Sequence, residues 1–317
     1  PPLGNGSFGV IWRGTHKRTG RHCAVKFIRM DVAGRHYLET FVEKDMYTFL
    51  LKMSQQEPHP NVARQLDYLM GQRVIYNAQE LLEGEDLLSF LQEHAPITEG
   101  LACGLLKQVL LALRHIHGIF NIGLIHRDVK LENLRFRQHN PYSDLVLIDF
   151  GLSCPNMQEQ KKTIVGTWTY MAPEVFSQRY NEKVDLWSVG VVLFIILTGK
   201  TPWAQDPSKG LAPQEDVLSG KAVEAALDTS EIKAAPPLAT DLLRCLLAPS
   251  DQRPSADAAL AHIWFANENR SGTELDSQCG FVIQVTKETY RIAKQESLIT
   301  PKSLRVGLTW DDSPEAE

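Results

Sequence analysis

The stretch that most constrains this chain is Leu124-Ile125-His126-Arg127-Asp128-Val129-Lys130-Leu131-Glu132-Asn133, followed by Asp149-Phe150-Gly151. An acid, a lysine and an amide fall within six residues, and a second acid lies 16 residues after Asn133, closing the short apolar run Leu145 to Ile148. That is a layout for phosphoryl transfer. An attacking hydroxyl needs an acceptor for its proton, a triphosphate needs divalent cations, and those cations need hard oxygen ligands such as a carboxylate and an amide. Asp128 suits the first role, and Asn133 and Asp149 suit the last. A His-Arg-Asp string alone is common on solvated surfaces. Its force here comes from H-R-D-x-x-x-x-N with the Asp-Phe-Gly correctly placed after it.

A chain of 317 residues, 43% of them hydrophobic, has room for one large two-lobed domain with a sizeable core. The net charge of -5 argues against a nucleic-acid surface as the main function. The five cysteines (Cys23, Cys103, Cys154, Cys245, Cys279) are odd in number, widely spaced and without C-x-x-C. Neither a disulfide framework nor a zinc site is suggested, and a reducing, cytoplasmic setting is expected. Leu186 to Leu197, the longest apolar run, is too short to span a bilayer and reads as a buried core helix. Because residue 1 falls almost on a glycine loop, the chain reads as a piece of a longer one whose targeting signals lie elsewhere.

Leu3-Gly4-Asn5-Gly6-Ser7-Phe8-Gly9-Val10-Ile11 carries glycines at G-x-G-x-x-G spacing, which lets backbone amides approach phosphates. The same spacing opens a dinucleotide-binding βαβ unit, but there a helix follows at once. Here Trp12 to Gly14 and His22 to Ile28 alternate as strands joined by a polar turn at Lys17 to Gly20. The second strand holds Cys23-Ala24-Val25-Lys26, whose lysine lies 17 residues after Gly9 and fits a phosphate-binding role rather than a solvated edge charge.

From Tyr37 to Met53, Leu38, Phe41, Val42, Met46, Phe49, Leu50 and Met53 recur at three and four, predicting an amphipathic helix. Glu43 shares a face with Met46, Tyr47 and Leu50 and is the acid placed to meet Lys26; a plain surface charge is the competing reading. Two strands follow His59-Pro60-Asn61-Val62, ending at Tyr76 to Gln79, and Glu80-Leu81-Leu82-Glu83-Gly84 then serves as a connector. Its main chain can hydrogen-bond an adenine edge, with Asp86 near a ribose hydroxyl. Helices are predicted at Leu87 to Gln92 and Thr98 to His117. His115 and His117, two apart and so on different helix faces, read as packing residues rather than metal ligands.

At least five motifs now stand in the order and spacing of eukaryotic protein kinases, and the chain resembles that family over roughly residues 3 to 266. The resemblance implies an α+β, bilobal fold. Its small antiparallel β lobe with one regulatory helix would occupy 1–79, truncated at its start, with a hinge at 80–86 and a larger, mostly helical lobe at 87–266. Residues 267–317 would be a partly disordered extension. ATP would lie between the lobes against Leu3, Gly4, Asn5, Gly6, Ser7, Phe8, Gly9, Ile11, Ala24, Gln79, Glu80, Leu82 and Asp86. Lys26 would pair with Glu43 and the phosphates, Asp128 accept the substrate proton, Lys130 neutralise γ-phosphate charge, and Asn133 and Asp149 bind Mg²⁺. Glu174 and Arg253 match the family's buried ion pair, and Asp185 matches the acid that anchors the catalytic-loop backbone.

Lys130 and the Gly166-Thr167 pair resemble the serine/threonine branch, and Ile148 to Ser153 with Asp185 to Gly199 resemble its calmodulin-dependent and calcium-dependent group. Protein substrates follow from the resemblance. Glu132 and Asp86 suggest peptides with arginine before the target, although Glu132 also reads as a solvated loop acid. Gln79, at the gatekeeper position, should make the pocket behind adenine more polar. Arg127, beside Asp128, calls for an anion, and phosphorylated Thr163, three residues before Gly166, is the candidate, added by an upstream or self-acting kinase. Thr167 is expected to engage Asp128 and Lys130 instead. The competing reading is a pseudokinase scaffold, against which Lys26, Asp128, Asn133 and Asp149 are all present. Residues 287 to 305 mix basic and apolar positions as a calmodulin-binding or pseudosubstrate helix would, but Pro301 interrupts them and Glu288 and Glu296 dilute the charge, so a solvated tail is the reading here.

Overall fold

The computed structural model describes residues 2–6, 9–17, 19–30, 46–156, 164–203, 217, 220–266, 283, 285–287 and 290. Ser7, Phe8, Glu43 and Thr163 lie outside the described residues, as does the first part of the predicted helix at 37–53.

Alternation makes the upper lobe a sheet. Strands β1 (Pro2–Gly6), β2 (Gly9–Thr15), β3 (His22–Arg29), β4 (Gln65–Met70) and β5 (Val74–Glu80) pair antiparallel in the order β1-β2-β3-β5-β4. In β3 the odd-even pattern sends Lys26 and Ile28 to the buried face and Phe27 to the exposed one. Lys26 stands opposite Ile11 on β2 and Asn77 on β5, fixing its register over the cleft. Gly9 allows the β2 backbone to approach β3, since a Cβ there would fall 1.8 Å from Phe27 O. Helix α1 (Met46–Gln56) covers the sheet with Met46, Leu50 and Met53 of the predicted apolar stripe together with Tyr47, while Phe49 of that stripe is half-buried.

The chain leaves β5 through residues 81–86 and enters α2 (Leu87–His94), started by Asp86, whose Oδ1 accepts from Ser89 N at 2.9 Å. Thr98 caps α3 (Glu99–Gly118) in the same way through Leu101 N. Short strands β6 (Leu124–Ile125), β7 (Leu134–Phe136), β8 (Leu145–Leu147) and β9 (Cys154–Pro155) carry the central loops in the pairs β6-β9 and β7-β8. The run read as a core helix is α4 (Lys183–Thr198), buried from Val184 to Thr198. Helices α5 (Lys221–Leu227), α6 (Ser230–Ala234), α7 (Pro237–Leu246) and α8 (Ala256–Leu260) complete the lower lobe. No helix among the described residues is long and apolar enough to cross a membrane.

One expectation is overturned at the end of the chain. Tyr290, within the stretch read as a solvated tail, is 0% exposed and packs in the lower-lobe core, as do Ile283 and Val285 just before that stretch. Lys287 and its polar neighbours masked three anchors too irregularly spaced to register as a helix face.

Candidate active site

Asp149 follows β8 and adopts a left-handed backbone, φ 59° and ψ 72°, that a residue with a Cβ takes only when its surroundings impose it. The turn sends Phe150 into the core, edge-on to His126 at 4.9 Å, and the Asp149 carboxylate into the cleft. There Lys26 Nζ donates to Asp149 Oδ1 at 2.8 Å and to Oδ2 at 2.9 Å. Burial alone would raise the Asp149 pKa; the charge and hydrogen bonds of Lys26 outweigh it and hold the carboxyl at about 2.

The loop before Asp128 is held by Asp185, fully buried on α4. Its Oδ2 accepts from His126 N and its Oδ1 from Arg127 N, both at 2.8 Å, which fixes Arg127 at φ 68°. His117 Nε2 donates to the same carboxylate at 2.9 Å, so a histidine read as mere packing is part of the loop's support. Burial pushes the Asp185 carboxyl up, but these donors win and its pKa is lowered. Burial lowers that of His126, which accepts from Asp128 N through Nδ1 and donates from Nε2 to Ile148 O.

Asp128 is 4% exposed and surrounded by donors. Thr167 Oγ1 donates to its Oδ1 at 2.7 Å, Lys130 Nζ lies 3.0 Å from its Oδ2, and Asn133 Nδ2 bonds its Oδ2 at 3.0 Å and its main-chain oxygen at 2.8 Å. Lys130 Nζ also donates to Thr167 Oγ1 at 2.8 Å. Burial opposes the Lys130 charge, yet Asp128 keeps its pKa above the usual value. With the Asn133 amide nitrogen committed to Asp128, its oxygen is the atom a cation would take. That oxygen and the Asp149 carboxylate are hard donors of the kind Mg²⁺ prefers beside substrate phosphates.

Between the lobes lies a cavity of about 400 Å³, ample for a small-molecule ligand. Leu3, Gly4, Ile11, Ala24, Lys26, Gln79 and Glu80 line it from the sheet, and Leu82 and Asp86 from the connector. Lys130, Asn133 and Asp149 close it from below. Gly9 lies in the adjoining strand β2 without lining it, and Asp128 adjoins it through Lys130 and Asn133. Glu80 is already engaged, its N–H with Arg64 O and its carboxylate with Arg137 at 2.6 Å. Asp86 gives one oxygen to Ser89 N and the other to Ser89 Oγ. Behind Gln79 its amide meets Gln65, which in turn bonds Asn77 and the carbonyls of Asp67 and Ala78, a polar wall.

The protein kinase domain model matches residues 1–265. The chain belongs to the protein kinase family. It is 34% identical over 279 residues to a hormonally up-regulated neu tumor-associated kinase homolog of Xenopus tropicalis, covering 86% of this chain and 38% of that protein. The human hormonally up-regulated neu tumor-associated kinase is 32% identical over 278 residues, 85% of this chain and 36% of its own length. A probable myosin light chain kinase of Dictyostelium discoideum is 30% identical over 281 residues, 87% of this chain and 68% of that protein. The chain thus spans under two-fifths of the first two relatives.

In this kinase domain the segment after Asp149 is fastened at both ends. Gly166, at φ 125°, lets it approach the catalytic loop where a Cβ would lie 2.6 Å from Arg127 O. Ser188 Oγ and Trp203 Nε1 then hold the carbonyls of Tyr170 and Thr169. Arg253 reaches Glu174 at 2.5 Å while its guanidinium covers Trp187 at 5.0 Å. Arg127 Nε donates to Leu152 O at 2.5 Å and Nη1 to Tyr180 Oη at 3.2 Å, so neutral oxygens share its guanidinium, while its expected partner Thr163 lies outside the described residues. Glu132, read as either a peptide-facing or a solvated loop acid, lines the cavity beside Lys130 and Tyr170, and burial raises its pKa.

Cleft residues missed in the sequence are Ala63, Leu81, Arg135 and Ile148. Arg135 comes into the cleft on β7, which starts directly after the Leu131–Asn133 turn. Ala63 had no local signal, because it arrives through pairing of residues 61–63 with β8.

Proposed function

We propose that this domain is a serine/threonine protein kinase, transferring the γ-phosphate of ATP to serine and threonine hydroxyls of protein substrates. Thr167 carries the reading: its aliphatic hydroxyl already bridges the Asp128 carboxylate and the Lys130 ammonium, the place an attacking hydroxyl must reach. Asp128 would accept that hydroxyl's proton, and Lys130 would hold the transferring phosphoryl group. Lys26 would turn from Asp149 towards the α and β phosphates. Asn133 and Asp149 would hold Mg²⁺, which when bound neutralises charge on the phosphates. Main-chain groups of Glu80 and Leu82 would meet adenine, and the remaining lone pairs of Asp86 a ribose hydroxyl.

The domain divides, on this reading, into 1–79, a hinge at 80–86, 87–266 and an extension, and the motifs favour the calmodulin-dependent and calcium-dependent group. Glu132 and Asp86 favour arginine a few residues before the target. Phosphorylated Thr163 would supply Arg127 with charge beyond its neutral partners.

The test supplies labelled ATP and Mg²⁺ with a positional peptide library containing serine, threonine or tyrosine acceptors. Serine or threonine incorporation lost in Asp128→Asn supports the reading. Incorporation confined to tyrosine, or none from parent protein phosphorylated at Thr163, defeats it.

A further inference from the structure

The described residues beyond the lower lobe are held to it from three sides. Ile283 N donates to Ile97 O at 3.0 Å, Gln92 Nε2 donates to Tyr290 O at 3.3 Å, and Tyr290 Oη donates to Ile196 O at 2.6 Å. Two of these bonds serve groups the lobe buries. Gln92 is 8% exposed on α2, and Ile196 is among the last four residues of α4, whose carbonyls have no successor within the helix. A buried amide or carbonyl left without a partner is costly, so the segment completes the lobe rather than resting on it.

Helix α2 connects this corner to the cleft. Eight residues are too few for a helix to hold itself, and what it packs on sets its position. Gln92 near one end touches the docked segment; Asp86 at the other caps the helix, lines the cavity and bridges to Arg135. The same helix packs on the Leu131–Asn133 turn and on β7.

We infer that the docked residues Ile283, Val285 and Tyr290 form a positioning element for the kinase reaction, holding α2 and through it Asp86 and the Leu131–Asn133 turn at the nucleotide cleft. Tyr290 touches no substrate; it is a positioning residue, and the inference rests on the nucleotide reading of the cleft proposed above.

The test uses the full 317-residue chain and Mg²⁺-ADP as probe, with affinity measured by calorimetry. Tyr290→Ala should weaken Mg²⁺-ADP binding by roughly three- to thirtyfold, the usual range for such coupling, and Tyr290→Phe and Gln92→Leu by less. A synthetic peptide spanning residues 281–292 should restore affinity to Tyr290→Ala, which a general loss of stability would not permit. Should Tyr290→Ala fail to fold, Tyr290→Phe and Gln92→Leu carry the same comparison. Hydrogen exchange showing the segment released while affinity equals the parent's overturns the inference. Parent protein that binds no Mg²⁺-ADP overturns the nucleotide reading itself.

Discussion

The ammonium of Lys26 lies 2.8 and 2.9 Å from the two carboxylate oxygens of Asp149, tying β3 of the upper sheet to the end of β8 across 123 residues of chain. The pair sets the charge state of the cleft. Asp149 has a folded pKa of about 2 against 3.8 when unperturbed, so its contribution is fully present above pH 4 to 5 and is lost as pH falls through about 2. The shift corresponds to about 2 kcal/mol. Urea unfolding of the parent and Asp149→Asn from about pH 6 to about pH 2 should show their stability gap moving against the parent by that order. A pH-independent gap would show that Lys26 does not hold the carboxylate charged. Phosphate transfer by Asp149→Asn should fall by roughly thousandfold or more, since it loses the carboxylate proposed for the metal.

Asp185 and His117 give a graded pair of expectations. Asp185→Asn weakens the charge-assisted bonds from His126 N, Arg127 N and His117, at about 1.5–3 kcal/mol for each such bond lost. His117→Gln perturbs one donor and leaves the two backbone bonds. The first should lower kcat by roughly a hundredfold with little change in KM for ATP, because a loosened Arg127 turn displaces Asp128. The second should lower it far less. Equal effects in steady-state kinetics would remove His117 and Asp185 from their assigned order of importance.

What the sequence disclosed follows sequence distance. Asp128, Lys130 and Asn133 share one short loop, and Asp149 ends an adjacent strand, so their grouping could be read from spacing. The core helix was legible because α4 is apolar all round. His117 was misread because its partner Asp185 lies 68 residues away, and local spacing tested only for a metal. The docking of Tyr290 was hidden for the same reason: Gln92 and Ile196 are distant, and three irregular anchors form no periodic face. The Leu152 O and Tyr180 hydroxyl contacts of Arg127 were hidden in the same way, because both partners lie far along the chain.

Thr167 offers a conservative test of the catalytic cluster. Thr167→Ala removes the hydroxyl between Asp128 Oδ1 and Lys130 Nζ, leaving both ions short of a neutral partner. Thr167→Ser keeps it. Turnover should fall several-fold, roughly one hydrogen bond's worth, in the alanine variant and stay near the parent in the serine variant. Equal turnover in all three proteins would show that the hydroxyl does not organise the pair.

Arg253 supports the segment that Thr167 belongs to, and its environment makes the outcome of substitution specific. The side chain is fully buried, donates to Glu174, to Lys183 O at 2.9 Å and to Ala248 O at 3.1 Å, and lies over Trp187. Arg253→Met removes the cation and leaves the mostly buried Glu174 carboxylate without it, which should cost about 3–5 kcal/mol. Arg253→Lys preserves charge but not the planar fork, so it should recover only part of that loss. The double variant Glu174→Gln with Arg253→Met should be more stable than Arg253→Met alone, since the uncompensated charge has gone. Urea unfolding of the parent, Arg253→Met, Glu174→Gln and the double variant closes the cycle. A coupling free energy below about 0.5 kcal/mol would mean that the two side chains act independently and that Arg253 works mainly through its carbonyl bonds and Trp187.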